Sequence, residues 1–310
     1  MNPPDTTAPP LSRTAAAMTV VAMGLGYTAA VVDPTILSAE ISTVRIGLGM
    51  STSAASFTAS LATLTMAAAV LGAGALGDVY GMRRMYVAGL LGTIAFGVLG
   101  AATPTAAVLM VARAALGVAL AFLLGLSLAI VNAAFAPERR TRVIAWYFGV
   151  GFAATAPLPA VGGLLATEMS WRACLLVTPV LAVVALAITL RYVPHIPRTS
   201  RSLDLIGVTL AAVALLALVF GIARLETGVD VVAVAALGTA ALAAAGFVAR
   251  ERRTPQPALE LSIFCSGRFN AAVTAGVVFN FLTGGLMILF AFYLVTVRGE
   301  SPEVLGLLLI

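Results

Sequence analysis

The feature that most constrains this chain is the recurrence of apolar stretches long enough to cross a bilayer. A helix needs ~20 mostly apolar residues to span ~30 Å of hydrocarbon. Stretches of that length fall near 14–38, 51–75, 85–103, 105–133, 143–167, 173–191, 205–223, 231–249 and 270–297. Charged residues make up only 10% of the chain and hydrophobic ones 61%. A soluble domain carries roughly 25% charged residues, so this chain lacks the polar surface to live in water. In hydrocarbon every backbone polar group must be satisfied internally, and runs of this length do so as helices. The reading is an all-α integral membrane protein. Residues 1–13 are polar and proline-rich and read as a disordered cytoplasmic tail. A tenth apolar run begins at Val304 and reaches only Ile310. Seven residues rise ~10 Å, which is too short to cross, so the sequence reads as C-terminally truncated.

The basic residues set the orientation. All 18 are arginine. With the N-terminus inside, the inner segments hold Arg13, Arg83, Arg84, Arg139, Arg140, Arg142, Arg191, Arg198, Arg201, Arg250, Arg252, Arg253 and Arg268, thirteen in all. The outer segments hold Arg45, Arg172, Arg224 and Arg298. Thirteen against four, alternating loop by loop, follows the positive-inside rule and puts the N-terminus in the cytoplasm. Scattered in short clusters between spans, these arginines are topology signals and not a nucleic-acid face. The two cysteines, Cys174 and Cys265, fall on opposite sides of the membrane and form no disulfide framework. The single histidine, His195, reads as a solvated loop residue, and one histidine builds no zinc site. No metal or other cofactor is implied.

Two ionisable residues sit inside apolar runs, Asp33 and Arg113. A charge at mid-bilayer costs at least ~2.5–3.5 kcal/mol, so each needs a partner, water or a function. The first span runs outward, and Asp33 lies ~28 Å along it from Thr14 at 1.5 Å per residue. The fourth runs inward, and Arg113 lies ~12 Å in from Thr105. Both fall in the outer half at depths that overlap. They are either a structural ion pair, with Asp33 ending a helix turn before Pro34, or a water-exposed proton or cation site. The short inner segment Gly74-Ala-Leu-Gly-Asp78-Val-Tyr-Gly81-Met-Arg83-Arg84 joins spans two and three. Glycine permits a tight turn there, and Asp78 can accept backbone N–H bonds or pair with arginine.

The order of residues in that segment resembles the signature of the major facilitator superfamily, with Gly74, Leu76, Asp78, Gly81 and Arg83 in place. Val79 and Met82 stand where the pattern usually has basic residues. Further elements resemble the 14-helix drug:proton antiporter branch. They are Asp33-Pro-Thr35-Ile36, with Ser38 and Ser42 where Asn and Pro are usual, and Arg113-Ala-Ala-Leu-Gly117. The antiporter-type element Pro159-Ala-Val-Gly162-Gly163 follows, with Leu158 in place of the usual glycine, then Ser170-Trp171-Arg172. The resemblance implies a six-helix bundle over 14–192, two extra helices over 193–268 and the beginning of a second bundle over 269–310. It implies Asp33 and Arg113 as coupling residues and Gly74, Asp78, Gly81, Arg83 and Arg84 as a gating loop. Asp78 is then expected near Arg83, Arg84, Arg139 or Arg140 as a latch between conformations.

The function so implied is proton-coupled export of small lipophilic or cationic compounds by alternating access at the plasma membrane. The partners would be a small-molecule substrate, protons and the lipid bilayer, with the full-length protein monomeric. Transport of a sugar, organic acid or amino acid is the alternative within that class, and a non-transporting truncated membrane protein is the alternative outside it. An intramembrane enzyme is not indicated. The sequence has no His/Glu metal spacing, no paired intramembrane carboxylates and no Gly-x-Ser-x-Gly element.

Overall fold

The computed structural model describes residues 12–196, 204–225, 228–254, 261–293 and 298. Eleven α-helices follow one another: α1 (Arg13–Gly47), α2 (Thr52–Tyr80), α3 (Met82–Ala101), α4 (Ala106–Ala134), α5 (Pro137–Thr155), α6 (Leu158–Glu168), α7 (Trp171–Cys174), α8 (Val177–Tyr192), α9 (Leu205–Leu225), α10 (Val231–Glu251) and α11 (Gly267–Phe292). A 3-10 turn, Leu261–Cys265, precedes the last. No strand occurs among the described residues. Seven helical segments, in α1 to α4, α7–α8, α9 and α10, are long and apolar enough to cross a membrane. The chain is a multi-pass membrane protein. Most of the expected tail, residues 1–11, and the run from Val304 lie outside the described residues.

The helix starts follow local chemistry. Hydroxyl caps open three of them: Ser12 accepts from the Ala15 N–H, Ser51 from Ala54 and Thr105 from Val108. Pro137 occupies the first turn of α5, where its missing N–H costs nothing. Between α2 and α3 a single residue, Gly81, turns the chain with φ of 101°, a backbone that side chains other than hydrogen disfavour.

Three spans differ from the apolar runs. The first helix does not stop near residue 38 but continues to Gly47, before the left-handed Gly49 (φ 62°). The fifth run, read as one span over 143–167, is two helices. The chain breaks at Ala156 and Pro157, because the proline at 157 cannot donate into the preceding turn. The sixth run divides likewise into α7 and α8, with Leu175 and Leu176 between them.

Helices α1 to α8 form one bundle. Its core joins Met23, Tyr86, Leu90, Leu120, Leu123 and Tyr147 from α1, α3, α4 and α5. The ends alternate as the arginine pattern requires. Arg83, at the start of α3, donates to the carbonyl oxygens of Leu190 (2.9 Å) and Thr189 (3.3 Å) at the end of α8. At the opposite end Arg172 donates to Thr103 (2.9 Å) and Ala101 (3.3 Å). The 78–84 turn and the 168–172 segment thus occupy opposite ends. Beyond the bundle, α9 packs on α2 and α10 on α9. Arg224 and Asp230 (2.8 Å) tie one end of that hairpin, and Arg250 and Asp204 (3.2 Å) the other. The described part of α11 is exposed along its length.

In lipid there is no hydrophobic drive to press helices together, so close packing between small residues carries the association. At Gly117 of α4 an added Cβ would run into the Ala62 carbonyl and the Thr65 hydroxyl of α2, whereas at Gly74 it would meet open space. Gly117→Ala is therefore expected to lower stability by about 1–3 kcal/mol, an overpacking cost, while Gly74→Ala leaves it unchanged. Unfolding of the purified variants in detergent measures both.

Candidate functional site

The site is built where α1, α4 and α8 converge. Pro34 lies inside α1 and has no N–H to offer the Ala30 carbonyl, so one hydrogen bond of the helix is missing beside Asp33 although α1 runs on through it. Arg113 lies two turns into α4, and Thr178 opens α8 just after the break at Leu175 and Leu176. Arg113 Nη2 stands 2.7 Å from Asp33 Oδ2, and the two side chains are 2% and 4% exposed. The Thr178 hydroxyl donates to the other carboxylate oxygen, Oδ1, at 3.2 Å. The overlap in depth counted along the sequence is thus a direct contact. It is a single contact and not the two-pronged fork that arginine and carboxylate can make. Arg113 Nε, also buried, has no hydrogen-bond partner in the structure.

Two further groups belong to this stripe and were not singled out by sequence. Thr178 is one; nothing in an apolar run tells which face of its helix looks at Asp33. Glu40 is the other, because α1 outlasts its apolar run. It follows Asp33 by seven residues, two turns along the same face and ~10.5 Å of rise. Beyond the Arg13–Ser38 span, partial burial pushes the Glu40 carboxyl above the usual carboxylate range, opposed by a hydrogen bond from Thr43. Cys174 of α7 lies close enough to feel the charge of Glu40.

The wall of α1 and α5 is aromatic. Tyr27 meets Tyr147 and Phe148 edge-on at 5.6 Å, and Phe152 at 6.1 Å. The Tyr147 hydroxyl shares a 2.8 Å hydrogen bond with Ser127 of α4. Nearer the start of α1 an apolar pocket of about 420 Å³ is lined by Ala16, Val20, Phe135, Val143 and Trp146.

The remaining sequence candidates are placed as follows. Gly162 is buried in α6, where an added Cβ would meet Ile36 at an ordinary 3.7 Å, and its carbonyl accepts from the Cys174 thiol (3.2 Å). Pro159 and Gly163 lie in the same helix. Asp78 is in the last turn of α2, half-buried, and no ion pair joins it to Arg83, Arg84, Arg139 or Arg140 in the structure. The latch expected there is not formed within these residues. The turn at Gly81 aims Arg83 at α8, where the last carbonyls of a helix end and its negative dipole receive a cation, that of Thr189 also accepting the Val193 N–H. Arg84 is exposed, and Arg140 donates to Phe135 O at 3.2 Å. His195 is exposed as expected but has a partner, Arg83 Nη1, at 2.9 Å. Cys174 is buried and Cys265 exposed, and both are free thiols.

A helical bundle with a buried Asp–Arg pair at its centre and a Gly-Asp-Gly-Arg turn at one end defines a class of membrane transport scaffold. The profile of the Major Facilitator Superfamily matches residues 14–310, and the chain belongs to that superfamily. It is similar to the multidrug resistance protein Stp of Mycobacterium tuberculosis (strain CDC 1551 / Oshkosh), 32% identical over 302 residues, 94% of this chain and 55% of that protein. It also resembles the methylenomycin A resistance protein of Bacillus subtilis (strain 168), 28% identical over 93% of this chain and 62% of the relative. A third relative is the tetracenomycin C resistance and export protein of Streptomyces glaucescens, 28% identical over 92% of this chain and 54% of the relative. The chain spans about half the length of the curated relatives it matches.

Removing one member of a buried ion pair leaves the other charge uncompensated, at about 3–5 kcal/mol. Asp33→Leu is expected to show that loss in detergent unfolding. The double variant Asp33→Leu/Arg113→Leu is expected to be more stable than the single one, because no charge is then stranded.

Proposed function

We propose that this chain carries the first six-helix bundle, the extra helix pair and the beginning of the second bundle of a proton-coupled exporter of small lipophilic or cationic compounds, working by alternating access in the plasma membrane. The observation that carries the reading is the buried Asp33–Arg113 contact, supported by the resistance and export names of the relatives. In this reading the N-terminus is cytoplasmic, and α9 and α10 are the extra pair that the 14-helix branch carries between its two bundles. The substrate cavity opens between bundles and is walled on this side by the first, second, fourth and fifth spans.

The mechanism follows from charge compensation. Asp33 can be buried while ionised because Arg113 stands against it. When the two separate, the carboxylate must meet another positive charge, and a proton or a cationic substrate supplies it. Thr178 holds the second oxygen and leaves the contacted one to exchange partners. The aromatic wall at Tyr27, Phe148 and Phe152 offers ring faces and edges to a flat apolar or cationic molecule. The Asp78–Arg83 turn acts at the inner end, where it regulates which side is open.

Inside-out vesicles containing the natural protein test this with a panel of lipophilic cations and neutral compounds. Asp33→Asn is expected to abolish pH-driven transport of both. Loss for cations alone would make Asp33 a selectivity residue, and normal transport of both with its pH dependence intact would refute the coupling role. Asp78→Asn is expected to insert normally and to transport more slowly, and an unchanged rate would remove Asp78 from the gate.

A further inference from the structure

The loop arginine that the structure engages is Arg83, and the manner of its engagement carries a condition. Its Nη2 is held by the Thr189 and Leu190 carbonyls, and its Nη1 lies 2.9 Å from His195 Nε2. Arginine donates and never accepts. The contact is a hydrogen bond only when Nε2 carries a lone pair, that is, with the neutral imidazole protonated on Nδ1. An imidazolium would set N–H against N–H and place two positive charges side by side. Histidine is the side chain whose charge ordinarily changes between pH 5 and 8.

The other charged groups among the described residues at this end are Arg13 on α1, Asp78 on α2, Arg84 on α3, Glu138, Arg139, Arg140 and Arg142 at the start of α5, Arg191 on α8, and Asp204, Arg250, Glu251, Arg252, Arg253 and Arg268 about α9 to α11. None is bonded to His195 in the structure, and Arg191 lies instead over the Tyr192 ring at 5.7 Å. No carboxylate among the described residues is paired with the imidazole to offset its charge. Asp78, five positions before Arg83, has no ion-pair partner among the described residues either.

We propose that His195 is a positioning residue that parks Arg83 against the end of α8, and that protonating its imidazole releases Arg83 to pair with Asp78. The device senses pH on the side of the membrane that holds the 78–84 turn. Acid there exchanges an arginine bound to the bundle's own α8 for one bound across the turn, which stiffens the α2–α3 junction and slows the inner gate. The gating half of this proposal rests on the transport reading above; the contact itself does not.

His195 is the only histidine in the 310-residue sequence, so it can be observed directly. Nitrogen-15 spectra of histidine-labelled protein, purified without a histidine tag and held in nanodiscs, report its tautomer and charge as pH is varied. The expected result is the Nδ1–H tautomer at alkaline pH, lost in Arg83→Ala. The same tautomer and titration in wild type and Arg83→Ala would overturn the contact. The second arm compares transport in vesicles with the pH varied on the His195 side. Wild type is expected to fall by about threefold or more between neutral and acid pH, as a histidine becomes charged. In His195→Gln, whose amide oxygen accepts at every pH, the decline should shrink to the part set by the proton gradient alone, and in His195→Lys the rate should be low throughout. Identical profiles for wild type and His195→Gln would overturn the gating half. Loss of pH-driven transport in Asp33→Asn alongside such identical profiles would leave the coupling reading intact, so the two failures are distinguishable.

Discussion

Hydrocarbon supplies no counter-charge, and the centre of this bundle is organised around that deficit. Asp33 and Arg113 are almost wholly buried, and at 2.7 Å each is the other's compensation. Such a pair is not a stabilising luxury. Its attraction roughly repays the cost of taking two ions out of water, and replacing both by apolar residues often leaves a protein no less stable. What the pair secures is register. It fixes the depth of α1 against α4, and Thr178 fixes α8 against both. Two of the three contributing helices carry a special feature nearby, Pro34 inside α1 and the Leu175–Leu176 break before α8, while α4 runs unbroken through Gly117 one turn beyond Arg113.

That close approach at Gly117 is the packing side of the same problem. The α4 backbone lies on the Ala62 carbonyl of α2 because nothing larger than hydrogen intervenes. Helix α6 follows another logic. Pro157 severs it from α5, and Gly162 presents its carbonyl to Cys174. A tightly packed α1–α4 centre thus stands beside a segmented fifth span.

Much of this was legible in the sequence. Apolar run length gave the number and order of the early helices, and alternation of arginine gave which loops share an end. Counting rise per residue brought Asp33 and Arg113 to one depth, and their contact follows. The limits are equally physical. Apolar character ends near residue 38, but a helix ends only where its hydrogen bonding is interrupted, so Glu40 was missed. Pro157 was visible, yet the run was read through it, because hydropathy does not register a missing donor. Thr178 and the Arg83–His195 contact depend on how distant helices face one another, 145 and 112 residues apart along the chain. No local pattern encodes such facing. Asp78 was expected to have Arg83, Arg84, Arg139 or Arg140 within reach; the last carbonyls of α8, which hold Arg83, are an acceptor that a sequence does not display.

The α9–α10 hairpin has a consequence for motion. Clasped at both ends by arginine–aspartate pairs, it is a closed plank, and it lies on α2, with Phe220 edge-on to Phe57 at 6.4 Å. A plank fastened there is an outrigger: any rocking of α1 to α8 sweeps it through the surrounding lipid. Its outward side chains, Leu218, Val232 and Leu242 among them, are exposed to the acyl chains that must part for it. Any such motion then meets the bilayer as a viscous load, on a lever that the six-helix bundle alone does not possess.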